Sequence, residues 1–171
     1  MIKTSLFMFR SFVLLAVAFG GSISFSQNLQ DIPKDLKITL ERTICYGTCP
    51  SYILTISADG TVTFDGRQYT KQKGVVTGKI NQDHVKQLIA EFDKAKYFSL
   101  KDRYQTQNDG CPEVWTDAPA VTTSFKANGR QKKIVHYLGC EEGNGKGVYP
   151  KLLHDLENKI DEIVGTEQWI R

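Results

Sequence analysis

Cys45-Tyr46-Gly47-Thr48-Cys49-Pro50 places two thiols four positions apart. Thiols at that spacing can close a disulfide, cycle as a redox pair, or give two ligands to a soft metal such as zinc. The compartment decides between these chemistries, because disulfides persist where the surroundings oxidise. The chain carries two further cysteines, Cys111 and Cys140, 29 positions apart. Zinc sites use close pairs of ligands, and only half of that pattern is present. Redox motifs of the thioredoxin kind have two residues between the thiols and sit at the head of a helix. Here three residues intervene, with strand-like sequence on both sides.

The N-terminus points outward. Lys3 and Arg10 precede an apolar run from Phe12 to Phe19, and Ser24-Phe25-Ser26 puts small residues at the −3 and −1 positions. This is the layout of a signal peptide over residues 1–26, cleaved before Gln27. The run falls short of the ~20 residues of a membrane span, so no stable span is expected once the signal is removed. The expected location is exported, periplasmic or secreted. An even cysteine count in an exported chain favours two disulfides. Of the three possible pairings, Cys45–Cys49 with Cys111–Cys140 is favoured: the first closes a short turn at Gly47, and the second ties a long loop to a strand end.

Other chemistry is sparser. His84, His136 and His154 form no metal-binding spacing and read as ordinary surface or hydrogen-bonded histidines. No G-x-S-x-G elbow is present. The glycine-rich stretch Gly143–Gly147 fails the phosphate-loop pattern, with Cys140 and Gly147 at its two defining ends, and reads as a flexible connector. Asp109, Glu113 and Asp117 match no calcium loop. No metal and no cofactor are expected. Beyond the leader, 20 basic residues face 19 acidic ones, which leaves no electrostatic footprint for nucleic acid. Lys71, Lys73 and Lys79, and Arg130, Lys132 and Lys133, read as solvated strand faces.

The elements that must hold these residues follow from periodicity. Residues 27–35 read as a linker and 36–171 as one α+β domain. Leu36, Ile38 and Leu40 alternate with polar residues, as do Tyr52, Leu54 and Ile56, then Val62 and Phe64 after Asp59-Gly60. Val75–Ile80 makes a fourth strand. Val85, Leu88, Ile89 and Phe92 fall at helical spacing behind Asn81, an N-cap, over about 82–96. Val121–Lys126 and Lys132–Leu138 flank Asn128-Gly129, a hairpin dipeptide. Pro150 opens a closing helix to Val164, with an apolar stripe of Leu152, Leu153, Leu156, Ile160, Ile163 and Val164. The order β-β-β-β-α-β-β-α predicts a largely antiparallel sheet with both helices on one face. Ser99–Ala118 has no clear period and, with Tyr104, Cys111 and Trp115, is expected to lie on the body, pinned by Cys111.

The stretch Leu40-Glu41-Arg42-Thr43-x-Cys45-Tyr46-Gly47-Thr48-Cys49-Pro50-x-Tyr52, followed by Leu54-x-Ile56 and Asp59-Gly60-x-Val62, resembles an exported bacterial family catalogued as domain of unknown function 6438. Thr116-Asp117-x-Pro119, Asn128-Gly129 and Leu156-Glu157-x-x-Ile160-Asp161 are similar to it too, and the likeness covers about residues 35 to 165. Cys111 and Cys140 look like an addition found in part of that family. The resemblance implies a cell-envelope or secreted setting and an α+β fold, and brings no activity with it.

Three functions are therefore carried forward. The first is a non-enzymatic module of the bacterial cell envelope that binds a protein or small ligand through the Cys45–Cys49 turn and the long loop. Its expected contact residues are Arg42, Tyr46, Trp115 and Asp117. The competing placement has Tyr46 and Trp115 covering the core edge. The second is a thiol-disulfide or hydrolytic enzyme centred on Cys45 and Asp117. The third is a structural accessory domain without a pocket.

Overall fold

Strict alternation in the first half produces strands with one buried and one wet face. Strands β1 (Lys37–Arg42), β2 (Tyr52–Ser57), β3 (Thr61–Gly66) and β4 (Gly74–Lys79) follow one another as antiparallel neighbours. Ile38, Leu40, Tyr52, Leu54, Ile56, Val62 and Phe64 are buried, the set that the period of two selects. The computed structural model describes residues 31–171, so the expected signal peptide and its cleavage point lie outside the described residues. Among the described residues no helix is long and apolar enough to cross a membrane.

Helix α1 (Gln82–Lys94) starts at Asn81, whose side-chain oxygen accepts from the His84 amide at 2.7 Å. A short 3-10 turn (Tyr97–Ser99) follows. The segment without periodicity then proves to be built of pieces too short to show any. It holds β5 (Arg103–Tyr104), a 3-10 turn (Gln107–Asp109) and β6 (Glu113–Val114). The hairpin β7 (Ala120–Ala127) and β8 (Arg130–Tyr137) turns at Asn128-Gly129, both at positive φ (52° and 71°). Strand β9 (Cys140–Glu141) pairs with β6, and α2 (Lys151–Val164) and α3 (Glu167–Ile170) close the chain.

The main sheet runs β4-β3-β2-β1-β7-β8-β5, antiparallel throughout except for β5 against β8. Helices α1 and α2 pack side by side on one face and bury Val85, Leu88, Phe92, Leu153, Leu156 and Ile160 there. This is the expected α+β architecture. In α2 the stripe needs one correction. Leu152 is half exposed, and Glu157 occupies the buried position beside Leu153, Leu156, Ile160 and Val164. At about 100° per residue, Glu157 lies about 55° from the centre of the face set by Leu153, Leu156, Ile160 and Val164, whereas Leu152 lies about 85° from it. The described part of the expected linker lies against the body, because both Asp35 oxygens accept from the turn amides of Asn128 and Gly129, at 2.7 and 2.9 Å. The Gly129 and Asn128 amides hold the Asp35 carboxyl below its ordinary pKa.

Candidate functional site

Both expected cysteine pairs are disulfides: Cys45–Cys49 within the β1–β2 connection, and Cys111–Cys140 between the long segment and β9. The first closes a turn between two strands. No helix N-terminus is there to stabilise a thiolate, the usual device of a redox pair. Among the described residues no cluster of His, Cys, Asp and Glu could hold a metal ion.

The Cys45–Cys49 turn and the end of the long segment meet through the backbone. The Tyr46 amide donates to the Asp117 carbonyl at 3.3 Å, the Thr43 amide to the Ala120 carbonyl at 2.9 Å, and the Ala120 amide to the Thr43 hydroxyl at 2.8 Å. Asp117 takes a left-handed conformation (φ 69°), which a short polar side chain tolerates, and its carboxylate accepts from the Thr116 hydroxyl. The neighbouring Trp115 is fixed at its backbone, where its amide donates to the Gly139 carbonyl at 2.8 Å. A Cβ at Gly139 would collide with the Trp115 carbonyl and the Tyr137 ring, so that close approach requires glycine.

What these backbones hold out is aromatic. Tyr46 is 89% exposed and Trp115 59% exposed. Neither ring belongs to the buried core. Two large apolar side chains thus stand in water on loops that disulfides and backbone bonds tie to the sheet. The chain is a member of the DUF6438 family, whose model, described as a domain of unknown function, matches residues 36–164. No curated protein matches the chain. The DUF6438 match covers both the cross-linked turn and the Trp115–Asp117 segment.

Arg42, the fourth expected contact residue, lies apart from the other three. Its side chain points to α2 and forms the wall of a cleft of about 320 Å3 whose rim includes Cys49, Pro50 and Pro119. Its Nε donates to Asp161 Oδ2 at 2.8 Å, Nη2 lies 2.8 Å from the same oxygen in an ion pair, and Nη2 donates to Asn158 Oδ1 at 3.2 Å. Asp161 Oδ1 accepts from the Tyr52 hydroxyl at 2.7 Å and from the Thr166 hydroxyl at 2.9 Å. Burial by itself would lower the Arg42 pKa, but Asp161, Tyr52 and Glu157 together outweigh it and raise it. Burial, then the Asp161 carboxylate, raises the Tyr52 phenol far above its ordinary value. Arg42 is thus a structural ion-pair partner with its charge already met, and Asp161 is the hub that sequence reasoning passed over.

A second group was equally hidden. His136 on β8 and Glu157 on α2 are both fully buried, with Nδ1 and Oε2 2.8 Å apart. Glu157 Oε1 accepts from the Thr123 hydroxyl at 3.3 Å, and His136 Nε2 donates to the Tyr149 carbonyl at 3.1 Å. One signal was available in sequence: His154, Glu157, Asn158 and Asp161 recur at i, i+3, i+4 and i+7, a polar stripe on one helical face.

His154 packs edge-on against His136, with ring centroids 6.3 Å apart. Its Nε2 accepts from the Asn158 amide at 3.1 Å, which leaves the proton on Nδ1, a buried nitrogen without a protein partner. Burial first, then His136 and Arg42, lower its pKa from the ordinary 6.5. The unfolded chain therefore takes up this proton at a higher pH than the folded one. The stability that His154 contributes is complete above about pH 6.5 and falls as the pH drops from there towards the folded pKa. In urea titrations between pH 7.5 and 5, His154→Gln is expected to lose stability less steeply than the wild type. Parallel curves would mean that His154 takes up its proton over the same pH range in the folded and unfolded states.

Proposed function

We propose that the chain is an exported, non-enzymatic module of the bacterial cell envelope, stabilised by disulfides, that binds a protein partner or small ligand through the Cys45–Cys49 turn and the Trp115–Asp117 segment. The observation that carries this reading is the exposure of Tyr46 and Trp115 on cross-linked backbone. Aromatic rings dominate binding hot spots, because each buries a large area while freezing few torsions. A rigid base lowers the ordering cost of binding further. The buried polar groups support a module without catalysis, since Arg42, Asp161, His136 and Glu157 each spend their hydrogen bonds on one another or on the fold.

The test expresses the full chain with a photo-crosslinking phenylalanine derivative at Tyr46, in the host envelope, and reads intact masses. The expected result is a chain beginning at Gln27, lighter than its reduced form by four hydrogens, with one discrete adduct. Trp115→Ala should abolish the adduct while leaving the melting temperature unchanged. Absence of a discrete adduct overturns the binding reading, and so does a Trp115→Ala protein that melts several degrees lower, because the ring would then be part of the fold.

A further inference from the structure

The face of the sheet opposite the helices is covered by none of the described elements, and its residues fall into ordered rows. Through the pairing register, Thr77, Thr63, Thr55, Thr39 and Ser124 lie directly opposite one another across β4, β3, β2, β1 and β7, and Lys133 of β8 ends the row. With strands about 4.8 Å apart, these five hydroxyls span about 20 Å. Thr63, Thr55, Thr39 and Ser124 alternate with buried neighbours, and Thr77 is exposed between the half-buried Val76 and Gly78, so all five side chains lie on the wet face. None of the five hydroxyls has a hydrogen-bond partner among the described residues. The threonines at 43, 61, 70, 106, 116, 123 and 166 all do.

A second row runs parallel, two residues further along each strand and about 7 Å away. It carries Lys79, Lys37 and Lys126, with Lys37 directly opposite Lys126. None of these lysines, nor Lys133, forms an ion pair among the described residues. The strand acids of this face, Glu41 and Asp65, stand on the other side of the hydroxyl row and share one cation, Arg67. Asp59 and Asp35, in the turns that flank the lysine row, lie near Lys79 and Lys126 and accept hydrogen bonds from Thr61 and from the Asn128 and Gly129 amides. Across the strands the order is lysines, then unpartnered hydroxyls, then two acids that share Arg67.

We infer that this open face is a second binding surface, distinct from the aromatic rim, and that it takes a linear acidic polysaccharide. The hydroxyl row donates to and accepts from sugar hydroxyls along the chain, while the lysine row meets the carboxylates along one edge. Each group on the protein then has a partner on the ligand. A nucleic acid fits less well, because single strands need aromatic platforms for their bases and the hydroxyl and lysine rows carry none.

The test measures binding of the full chain to polygalacturonate at fixed salt, with neutral dextran and a thymidine oligonucleotide as comparisons. Polygalacturonate should bind, and dextran and the oligonucleotide should not compete. The triple variant Thr39→Val/Thr55→Val/Thr63→Val removes three hydroxyls while keeping strand-favouring shapes, and should weaken binding about tenfold. Lys37→Gln/Lys126→Gln should weaken it by a similar factor. Thr39→Val alone, with a smaller loss in the same direction, stands in if the triple variant melts early. The inference is overturned if polygalacturonate does not bind. It is overturned equally if only the lysine variant matters, or if the oligonucleotide binds as tightly, since either result describes a generic cationic surface.

Discussion

Replacing Glu157 by alanine is expected to lower the free energy of unfolding by about 3–5 kcal/mol, the largest effect of any single side chain in the α2 polar stripe. The cost comes from what is stranded. His136 Nε2 donates to the Tyr149 carbonyl, which can only accept, so that nitrogen carries a hydrogen. One further proton lies between Nδ1 and Glu157 Oε2, and the Thr123 hydroxyl donates to Oε1. All three side chains are fully buried. Alanine leaves Nδ1 and the Thr123 hydroxyl without partners or water, and a void where the carboxylate stood. Glutamine behaves differently. Its amide donates to Nδ1 of the neutral imidazole and its oxygen still accepts from Thr123, so Glu157→Gln should cost only about 1 kcal/mol. The double variant His136→Leu/Glu157→Leu removes both partners together and should be more stable than Glu157→Ala, since apolar replacement of a whole buried pair is often close to neutral. Urea unfolding of the four proteins decides the matter. If alanine and glutamine cost the same, hydrogen bonding is not what holds this pair.

How much of this is legible in the sequence depends on how far apart the interacting residues lie in the chain. Leu36, Ile38 and Leu40 declare their strand within five positions, and Asn128-Gly129 declares its hairpin within two, because turn chemistry and side-chain alternation are local. The buried polar groups are not local. Arg42 meets Asp161 across 119 positions, and His136 meets Glu157 across 21, with a hairpin exit and a loop between. A search for apolar residues at helical spacing accepts Leu156 and Ile160 and passes over Glu157, although all three face the core. The short pieces failed for another reason. β5 pairs through only two residues and runs parallel to its neighbour, so neither alternation nor a turn announces it. The exposed half of the candidate site was easier to find. Tyr46 and Trp115 stand out as large rings beside cysteines, whereas Arg42, read as a contact residue, is taken up by an acid that no nearby residue predicts.

The two disulfides should differ in what they hold. In the chain-entropy description, a cross-link stabilises the fold by restricting the unfolded chain, and more so for a longer loop. Cys111 and Cys140 are 29 positions apart, so Cys111→Ser/Cys140→Ser is expected to cost about 3–4 kcal/mol. Cys45 and Cys49 are four apart, and Cys45→Ser/Cys49→Ser should cost about 2 kcal/mol or less. The burial pattern widens the gap. Cys111 and Cys140 belong to the hydrophobic core, so serine there buries two new hydroxyls, whereas the Cys45–Cys49 turn is partly exposed. Guanidinium unfolding of both double variants gives the stability order. Adduct formation at Tyr46 gives the complementary reading. The Cys111/Cys140 variant should lose stability while its remaining folded fraction still presents Tyr46. The Cys45/Cys49 variant should keep most of its stability but lose the fixed turn that holds Tyr46 against the Asp117 carbonyl, and with it the adduct. If opening the short disulfide leaves the adduct intact, the turn is held by that backbone bond, and the role assigned to Cys45–Cys49 in shaping the aromatic rim is wrong.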